Sequence, residues 1–350
     1  MRNFRINLLL LSAVFISSLA FSQDFNIHNP ITLPDKSPAS TITQAIGYTD
    51  INIQYHSPGA RGRTVWGGLV PYGKVWRAGA NENTKISFTH DVKIEGKDLA
   101  AGTYGLHLLP EEHQWTFIFS KNHTSWGSYF YDQQEDVLRV SVPVEAAPES
   151  RGWMNYDFHN RNRGETDIYL TWADKRAKFN LSVDINTISL EHIRLQLRSD
   201  AYWEWFSWCQ AADYCVQYEI NTEEAIEWID RSIALRENFS NWDVKAKLLR
   251  QLGKEEEAQK AIDRAIEVGS DVYLERYGRR FLGAKDFKQA EFIFSKALEK
   301  NNKYWRAHFN RGNALVGMNK KVEARKAFEA ALANAPDNAK AQVKRSLGSL

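Results

Sequence analysis

Small residues recur at a fixed interval in the C-terminal part of the chain. Ala225, Ala258, Ala290 and Ala324 are separated by 33, 32 and 34 residues. A second small residue follows seven positions after each, and an Ile or Phe falls between the two. These residues are Ser232, Ala265, Ala297 and Ala331, with Ile229, Ile262, Phe294 and Phe328 between. Because such spacings share one helix face, the interval predicts stacked pairs of helices that approach closely at the small residues.

The last unit, "AHFNRGNALVGMNKKVEARKAFEAALANAPDN", adds Gly312, Leu315 and Pro336 to the pattern. It resembles the tetratricopeptide repeat, a helix-turn-helix unit of 34 residues, and a chance helical bundle would not keep this period. The resemblance covers residues 198–336 and implies an all-α solenoid. Four helix pairs with a polar capping helix are therefore expected over residues 198–350.

The preceding part of the chain has a different period. "TDINIQYHS" places Ile51, Ile53 and Tyr55 on one face, and "HQWTFIFS" alternates Trp115, Phe117 and Phe119 in the same way. Period-two runs separated by turn signals predict antiparallel strands. Eight to ten such strands in residues 41–190 favour an all-β sandwich or jelly roll. The chain is thus predicted to have two domains, the β domain first and the helical repeats second.

Several motifs of the β half resemble a bacterial family catalogued as domain of unknown function 2911. They are the Arg-Gly-Arg step at 61–63, "LVPYGKVWRAGANE", "AGTYGLHLLP" and "YDQQEDVLRV", and they cover roughly residues 37–145. A weaker strand pair around "IYLTWADKRAKFNLSV" extends the resemblance to about residue 185. The family usually occurs in exported proteins and has no established activity. The resemblance therefore implies export and supplies no catalytic residue.

The N-terminus has the pattern of a signal peptide. Arg2 and Arg5 precede an uncharged run from Leu8 to Phe21, which is shorter than the roughly 20 residues of a membrane-spanning helix. Ala20 and Ser22 form a small-x-small cleavage pattern. We expect residues 1–22 to be removed and 23–40 to be a linker. The protein is then exported to the periplasm or outside the cell, without stable membrane insertion; the alternative is an N-terminal membrane anchor.

Charge and cysteine content narrow the function further. A net charge of +2 with no Lys or Arg block argues against a nucleic-acid partner. Cys209 and Cys215 would lie about 9 Å apart on one helix, beyond the roughly 7 Å that a disulfide spans. Buried free thiols are predicted, although an exported protein could also oxidise the pair.

The loop at residues 61–82, between the strands predicted in "TDINIQYHS" and "TKISFTHDVKIEG", is rich in Trp, Arg and Gly, and two interpretations of it remain open. Aromatic faces and directional donors could form a pocket for a sugar or another planar ligand. Alternatively, the same side chains satisfy buried backbone groups at a structural corner. The pocket candidates are Arg61, Arg63, Trp66, Tyr72, Trp76, Arg77, Asn81 and Glu82.

No catalytic constellation is recognisable, and no metal or cofactor is predicted. The chain has neither an HExxH motif nor a G-x-S-x-G elbow. His107, His113 and His123 straddle a predicted hairpin and form only a weak candidate metal set. Glu82 with Asp132 is an equally weak candidate for a glycosidase pair. The sequence therefore favours a non-enzymatic protein without excluding an enzyme.

The concave surface of the repeats is the better candidate for function. The tetratricopeptide pattern places six residues on or near it: Lys247, Arg250, Arg279, Arg306, Phe309 and Asn313. These side chains suit an acidic peptide or a C-terminal carboxylate. The alternative is that the cationic side chains are simply solvent-exposed charges that bind no ligand. The two-carboxylate clamp of some repeat proteins needs Lys where this chain has Asp243, Glu275 and Phe309.

The segment "SDAYWEWFSWCQAADYCVQYEI" precedes these repeats and is rich in Trp. We expect it to dock on the β domain, a sticky exposed surface being the alternative. The leading hypothesis is an exported interaction scaffold that binds a protein or peptide. The alternative is an envelope protein that binds or hydrolyses carbohydrate through the loop at residues 61–82.

The export hypothesis makes a prediction about the mature chain. Protein recovered from the periplasm or culture fluid should begin at Gln23, because the cleavage pattern ends at Ser22. Intact-mass spectrometry of the purified protein measures this directly. Recovery of full-length chain in the membrane fraction would instead support the N-terminal anchor.

Overall fold

The computed structural model describes residues 34–350, so the predicted signal peptide and most of the predicted linker lie outside the described residues. Ten strands form the β domain between residues 39 and 182. They are β1 Ala39–Ile46, β2 Thr49–His56, β3 Ala80–Phe88, β4 Val92–Ile94, β5 Lys97–Leu99, β6 Gly102–Pro110, β7 Gln114–Ser120, β8 Asp136–Pro143, β9 Glu145–His159 and β10 Glu165–Ser182.

The strands form two antiparallel sheets that pack face to face. The six-stranded sheet has the order β1-β2-β3-β6-β7-β8, and the four-stranded sheet has the order β5-β4-β10-β9. Phe117 and Phe119 of β7 meet Phe179 of β10 at ring-centroid distances of 4.8 and 5.6 Å. Ile51 and Ile53 of β2 are fully buried in the same core. The alternating residues of the sequence thus point between the sheets, as a sandwich requires.

The last predicted strand pair is a single strand in the structure. "IYLTWADKRAKFNLSV" lies within β10 except for its last residue, Val183, and β10 pairs with β9 and is irregular on both sides of Ala173. Ala173 has a φ of 50°. A bulge places an extra residue in one strand, so the polar residues Asp174 and Lys175 mimic a turn in the sequence while pairing continues past them.

Ten helices follow the β domain. They are α1 Ile185–Gln196, α2 Trp205–Tyr218, α3 Thr222–Leu235, α4 Phe239–Gln251, α5 Glu255–Val268, α6 Asp271–Gly283, α7 Phe287–Lys300, α8 Trp305–Gly317, α9 Lys321–Asn334 and α10 Asp337–Gly348. The helices α2 to α9 form four pairs, and α10 caps the last of them. The predicted boundary at residue 190 falls inside α1, because Asp184 caps this helix by accepting from the Thr187 backbone N–H at 3.1 Å.

The recurring small residues mark the contacts between paired helices. Ala225, Ala258, Ala290 and Ala324 are fully buried on α3, α5, α7 and α9. On the partner helices, Gly278 and Gly312 lie against the rings of Phe294 and Phe328. A Cβ at Gly312 would stand 2.6 Å from Phe328. The absence of a side chain therefore sets how closely α8 and α9 pack.

The β domain and the repeats meet along α1 and α2. The Tyr48 ring lies 4.0 Å from the His192 ring, and Arg163 donates to the Tyr214 hydroxyl at 2.7 Å. The Arg163 guanidinium also lies 3.5 Å from the centre of the Tyr218 ring. Aromatic side chains of α1 and α2 thus form the contacts with the β domain.

The Trp residues beside this junction behave differently from the docking prediction. Trp205 and Trp208 pack against the core of the first helix pair, where α1 contributes Leu190. Trp203 remains 71% exposed. The docking role falls instead to Tyr214 and Tyr218 of the same segment, which lie about two and three turns beyond Trp208 on the side that faces Arg163. Within residues 34–350, no helix combines the length and apolar character needed to cross a membrane.

Packing at the glycines gives a stability prediction. Gly312→Ala should lower the free energy of unfolding by about 1–3 kcal/mol, because the new methyl group overpacks against Phe328. Gly283→Ala is the matched control, since nothing lies within 4 Å of its Cβ position. Both substitutions restrict the unfolded chain equally. Urea unfolding followed by circular dichroism measures the difference, and equal stabilities would contradict this account of helix spacing.

Candidate functional site

The loop between β2 and β3 is anchored in the sandwich core by Trp66. Its ring lies 4.1 Å from Trp115, and its indole N–H donates to the Trp172 carbonyl at 3.0 Å. Only 6% of Trp66 is exposed. This predicted pocket residue is therefore part of the core, and it fixes the loop over one end of the sheets.

Three more predicted pocket residues hold the loop rather than line a cavity. Arg61 donates to the Lys36 carbonyl at 2.6 Å, and the Tyr72 hydroxyl accepts from Lys175 at 3.0 Å. Glu82 lies 3.1 Å from the His56 ring nitrogen. These contacts within the domain are the kind that the structural interpretation of the loop expects. The Asp132 side chain, named with Glu82 in the sequence analysis, accepts from the Gln134 backbone N–H.

The other four predicted residues, Arg63, Trp76, Arg77 and Asn81, line a cavity of about 390 Å³. Trp126 and Tyr129 form its rim and are 54% and 77% exposed, and Trp172 of β10 completes the lining. The Trp76 and Trp172 rings stack at 5.7 Å. The loop is thus both a corner and a pocket, with different residues serving each purpose.

Sequence reasoning missed Trp126, Tyr129 and Trp172 because they are distant from the loop in the chain. The stretch "SWGSYFY" at residues 125–131 forms a short 3-10 turn between β7 and β8 that lies over β3. Its run of aromatic residues outside the alternating strand pattern was a usable signal. Only the fold shows which loop the aromatic residues face.

Arg77 is held firmly at the cavity wall. Its guanidinium donates to the Asn81 carbonyl and lies 5.5 Å from the Tyr129 ring centre. A Cβ at Gly127 would stand 2.6 Å from this guanidinium, and Gly127 has a φ of +61°. A glycine is therefore needed at residue 127 for two reasons, the backbone conformation and the space for Arg77.

A buried polar cluster lies behind the cavity wall. His107 is only 2% exposed, and its Nδ1 is 3.0 Å from the Ser128 hydroxyl. Burial lowers the pKa of His107 to about 4, with a further lowering by Arg77, although Asp136 opposes the shift. The side chain is thus neutral at physiological pH. Among residues 34–350, no group of three His, Cys, Asp or Glu side chains is placed to hold a metal ion.

A second cavity, of about 430 Å³, lies in the helical domain. It is an open groove formed by α2, α4 and α6, the first helices of the first three pairs. The lining residues are Phe206, Cys209, Gln210, Asp213, Phe239, Ser240, Asp243, Val244, Lys247, Tyr273, Arg276, Tyr277 and Arg280. Its walls combine aromatic rings with charges of both signs.

The charges of the groove are unevenly paired. Lys247 forms an ion pair with Asp243 at 2.7 Å, one helical turn away. Arg276 and Arg280 instead lie over their neighbouring rings, 5.7 Å from Tyr273 and 5.9 Å from Tyr277. Neither arginine forms an ion pair in the part of the chain that the structure describes. The α6 side of the groove therefore carries two positive charges without an acidic partner.

Of the six residues predicted on or near the concave surface of the repeats, Lys247 lines this groove, and Arg306, Phe309 and Asn313 lie on α8, which does not contribute to it. Arg250 pairs with Glu255 at 3.2 Å, and Phe309 packs against the core of the last pair. Arg306 lies over Trp305 at 5.3 Å, and neither Arg279 nor Asn313 lines the groove. From α6, the groove is lined by Arg276 and Arg280, which are three and one positions away from Arg279 in the chain.

The carboxylates at the clamp positions have structural partners. Glu275 is 4% exposed and accepts from Asn310 of α8 at 2.6 Å. Burial raises the pKa of Glu275, and the nearby Arg279 and Arg306 oppose this shift. Glu275 thus joins α6 to α8 and is not available as a clamp residue.

Cys209 and Cys215 both lie on α2 and are free and buried. Burial raises the pKa of Cys209 to about 12 and that of Cys215 to about 11. Because the thiolate is the reactive form, neither thiol is activated for chemistry.

Family models match both halves of the chain and confirm the resemblances found in the sequence. Residues 37–181 match the family described as "Protein of unknown function (DUF2911)". Residues 240–268 and 281–347 match models of the tetratricopeptide repeat. The first helix pair lies outside these ranges. The repeats support a scaffold for protein interaction, the general role of this unit. No curated protein matches the chain.

Among solved structures, the chain is similar to MamA, with 17% identity over 44% of this chain and 83% of that chain, and a TM-score of 0.29. YrrB, described as a TPR protein with an unusual peptide-binding site, has 18% identity over 46% and 84%, with a TM-score of 0.28. The C-terminal part of a repeat protein from Cytophaga hutchinsonii has 15% identity over 47% and 67%, with a TM-score of 0.31.

The buried His107 predicts how stability depends on pH. Its folded pKa of about 4 lies below the value of about 6.5 expected when unfolded, so the unfolded state binds more protons between these values. The contribution of His107 to the free energy of unfolding is therefore fully present above pH 6.5 and is lost as the pH falls toward 4. From pH 7 to 4.5 this single group should cost about 2–3 kcal/mol.

His107→Gln removes the titrating group and should flatten this part of the dependence in urea titrations at the two pH values. His113→Gln is the matched control, because His113 is exposed in the turn between β6 and β7 and should leave the dependence unchanged. An unchanged slope in His107→Gln would show that His107 does not carry the effect.

Proposed function

We propose that this protein is an exported, non-enzymatic scaffold whose repeat groove binds an extended, acidic segment of a partner protein. The observation that carries the proposal is the α6 wall of the groove, where Arg276 and Arg280 lie open without an acidic partner among the described residues. The matched repeat models support a general role in protein interaction. The side chains of the groove indicate which kind of peptide it would bind.

The shape of the groove favours an extended peptide. Three successive first helices line it, so a ligand that crosses them meets a new set of side chains at each repeat. Aromatic rings from Phe206, Phe239, Tyr273 and Tyr277 provide apolar contact area along this path. Aromatic residues lose little conformational entropy on binding, which makes such surfaces effective for peptide recognition.

The charges of the groove favour carboxylates on the peptide. Lys247 is already neutralised by Asp243, so the groove offers its available positive charge at Arg276 and Arg280. A guanidinium binds a carboxylate through two parallel hydrogen bonds. Asp213 on the opposite wall disfavours a second acidic residue there. We therefore expect acidic residues at one end of the bound segment and a neutral or basic residue at the other.

Export rests on the N-terminal sequence. The charged start, the short apolar run and the small-x-small pattern before Gln23 support secretion to the periplasm or the cell exterior. The partner is then another exported or envelope protein. No catalytic constellation in residues 34–350 supports an enzyme, and the high pKa values of the two thiols argue against cysteine chemistry.

Charge reversal in the groove tests the proposal. A set of fluorescently labelled peptides that differ in Asp and Glu content is titrated with the full mature chain, and the dissociation constant of each peptide is measured. Acidic peptides should bind best, and Arg276→Glu with Arg280→Glu should weaken them by about tenfold or more, since each charge-assisted contact contributes about 1.5–3 kcal/mol. Binding should also weaken as salt rises.

The matched control is Arg325→Glu with Lys326→Glu, the same change of charge on exposed residues of α9, away from the groove. This variant should bind like the wild type. An equal loss of peptide affinity in both double variants would show that the effect depends on the net charge of the protein and not on the groove. A preference for basic or uncharged peptides would contradict the proposed recognition.

A further inference from the structure

We propose that the cavity at the end of the β sandwich is a binding site for an anionic sugar, a saturated ring that carries a carboxylate or a phosphate group. This site is separate from the repeat groove and does not depend on a peptide partner. Two features carry the inference, namely uncompensated positive charge and exposed aromatic faces.

The positive charge of the cavity is uncompensated. Arg63 and Arg77 both line it, and no Asp or Glu is among its lining residues in the described chain. Within residues 34–350, Arg63 donates only to the Ala60 and Gly59 carbonyls, at 3.0 and 2.8 Å, and Arg77 only to the Asn81 carbonyl. A guanidinium has five N–H groups, so both keep donors for a ligand. An anion would complete these hydrogen bonds.

The donors that the cavity offers to a ligand are the two guanidinium groups. Trp172 also lines the cavity, but only 1% of this residue is exposed and its indole nitrogen is buried. Because Arg63 and Arg77 bring several N–H groups to the lining, the fitting ligand is rich in acceptors.

The rim supplies flat apolar surface. Trp126 and Tyr129 are 54% and 77% exposed, although aromatic rings of this size are usually buried. The face of a sugar ring carries C–H groups that pack on an aromatic ring, while its hydroxyl oxygens accept hydrogen bonds. At about 390 Å³, the cavity is within the range of small-molecule sites. Without a carboxylate in its lining it has no acid–base pair, so we propose binding and not hydrolysis.

The site is organised before a ligand arrives. The space above Gly127 and the carbonyl of Asn81 position the Arg77 guanidinium, and Trp66 fixes the loop that carries both Arg63 and Arg77. Preorganised donors lose less entropy on binding than free side chains do. The same contacts explain why so much of this loop is structural.

Isothermal titration calorimetry on the full mature chain tests the inference. Glucuronate, galacturonate and glucose 6-phosphate are the anionic probes, and glucose, acetate and inorganic phosphate are the controls. At least one anionic sugar should bind at least about tenfold more tightly than every control, since both the ring and the charge contribute. Preference for the uronates would point to an acidic polysaccharide as the source, and preference for glucose 6-phosphate to a sugar phosphate.

Variants at the rim locate the binding. Trp126→Ala should weaken the best probe by about tenfold, because it removes one exposed stacking face. Phe130→Ala is the matched control, a 68% exposed aromatic residue on the same turn that does not line the cavity. Arg63→Gln should lower the affinity for anionic sugars by about tenfold.

Absence of a binding heat with every anionic sugar up to about 10 mM, a weak limit of affinity, would overturn the inference. So would an affinity for glucose, acetate or inorganic phosphate equal to that for the anionic sugars. Equal losses of affinity in Trp126→Ala and Phe130→Ala would also overturn it. Because Trp126 is exposed, its variant remains informative even if Arg63→Gln disturbs the loop.

Discussion

Close contact between helices governs the C-terminal half of this protein. Four buried alanines, spaced by about one helix pair, bring neighbouring helices together, and Gly278 and Gly312 admit the rings of Phe294 and Phe328. Packing of this kind repeats in one dimension, because each pair contacts mainly its neighbours. It leaves the first helices of successive pairs side by side. The groove is therefore a geometric result of the small residues, and its chemistry is set by whichever side chains face it.

The sequence predicted the architecture well because both halves are periodic. Alternation in residues such as Ile51 and Ile53 identified the strands, and the recurring alanines identified the helix pairs. It failed at β10, where the bulge around Ala173 imitates a turn, and at α1, which belongs to no repeat. Periodicity reports which side of an element is buried. It does not report an irregularity that tertiary pairing supports.

The candidate sites were predicted only in part, for a different reason. Arg63, Trp76, Arg77 and Asn81 were found because they are close together in the chain, whereas Trp126 and Trp172 reach the same cavity through the fold. In the groove, Arg276 and Arg280 line the wall while Arg279 does not, because each position along a helix turns a side chain by about 100°. The residue types thus indicated which interactions a site could make. Which side chains share a surface depends on the fold, and the sequence did not predict it.

Helix α2 has two faces with separate tasks. Phe206 and Asp213 line the groove, while Tyr214 and Tyr218, farther along the same helix, hold Arg163 of the β domain. A helix of 14 residues is about 21 Å long and moves as a stiff rod. Any tilt of α2 that widens or narrows the groove therefore displaces its other end, where the sandwich is attached. This shared rod makes the angle between the two domains and the width of the groove mechanically dependent on each other.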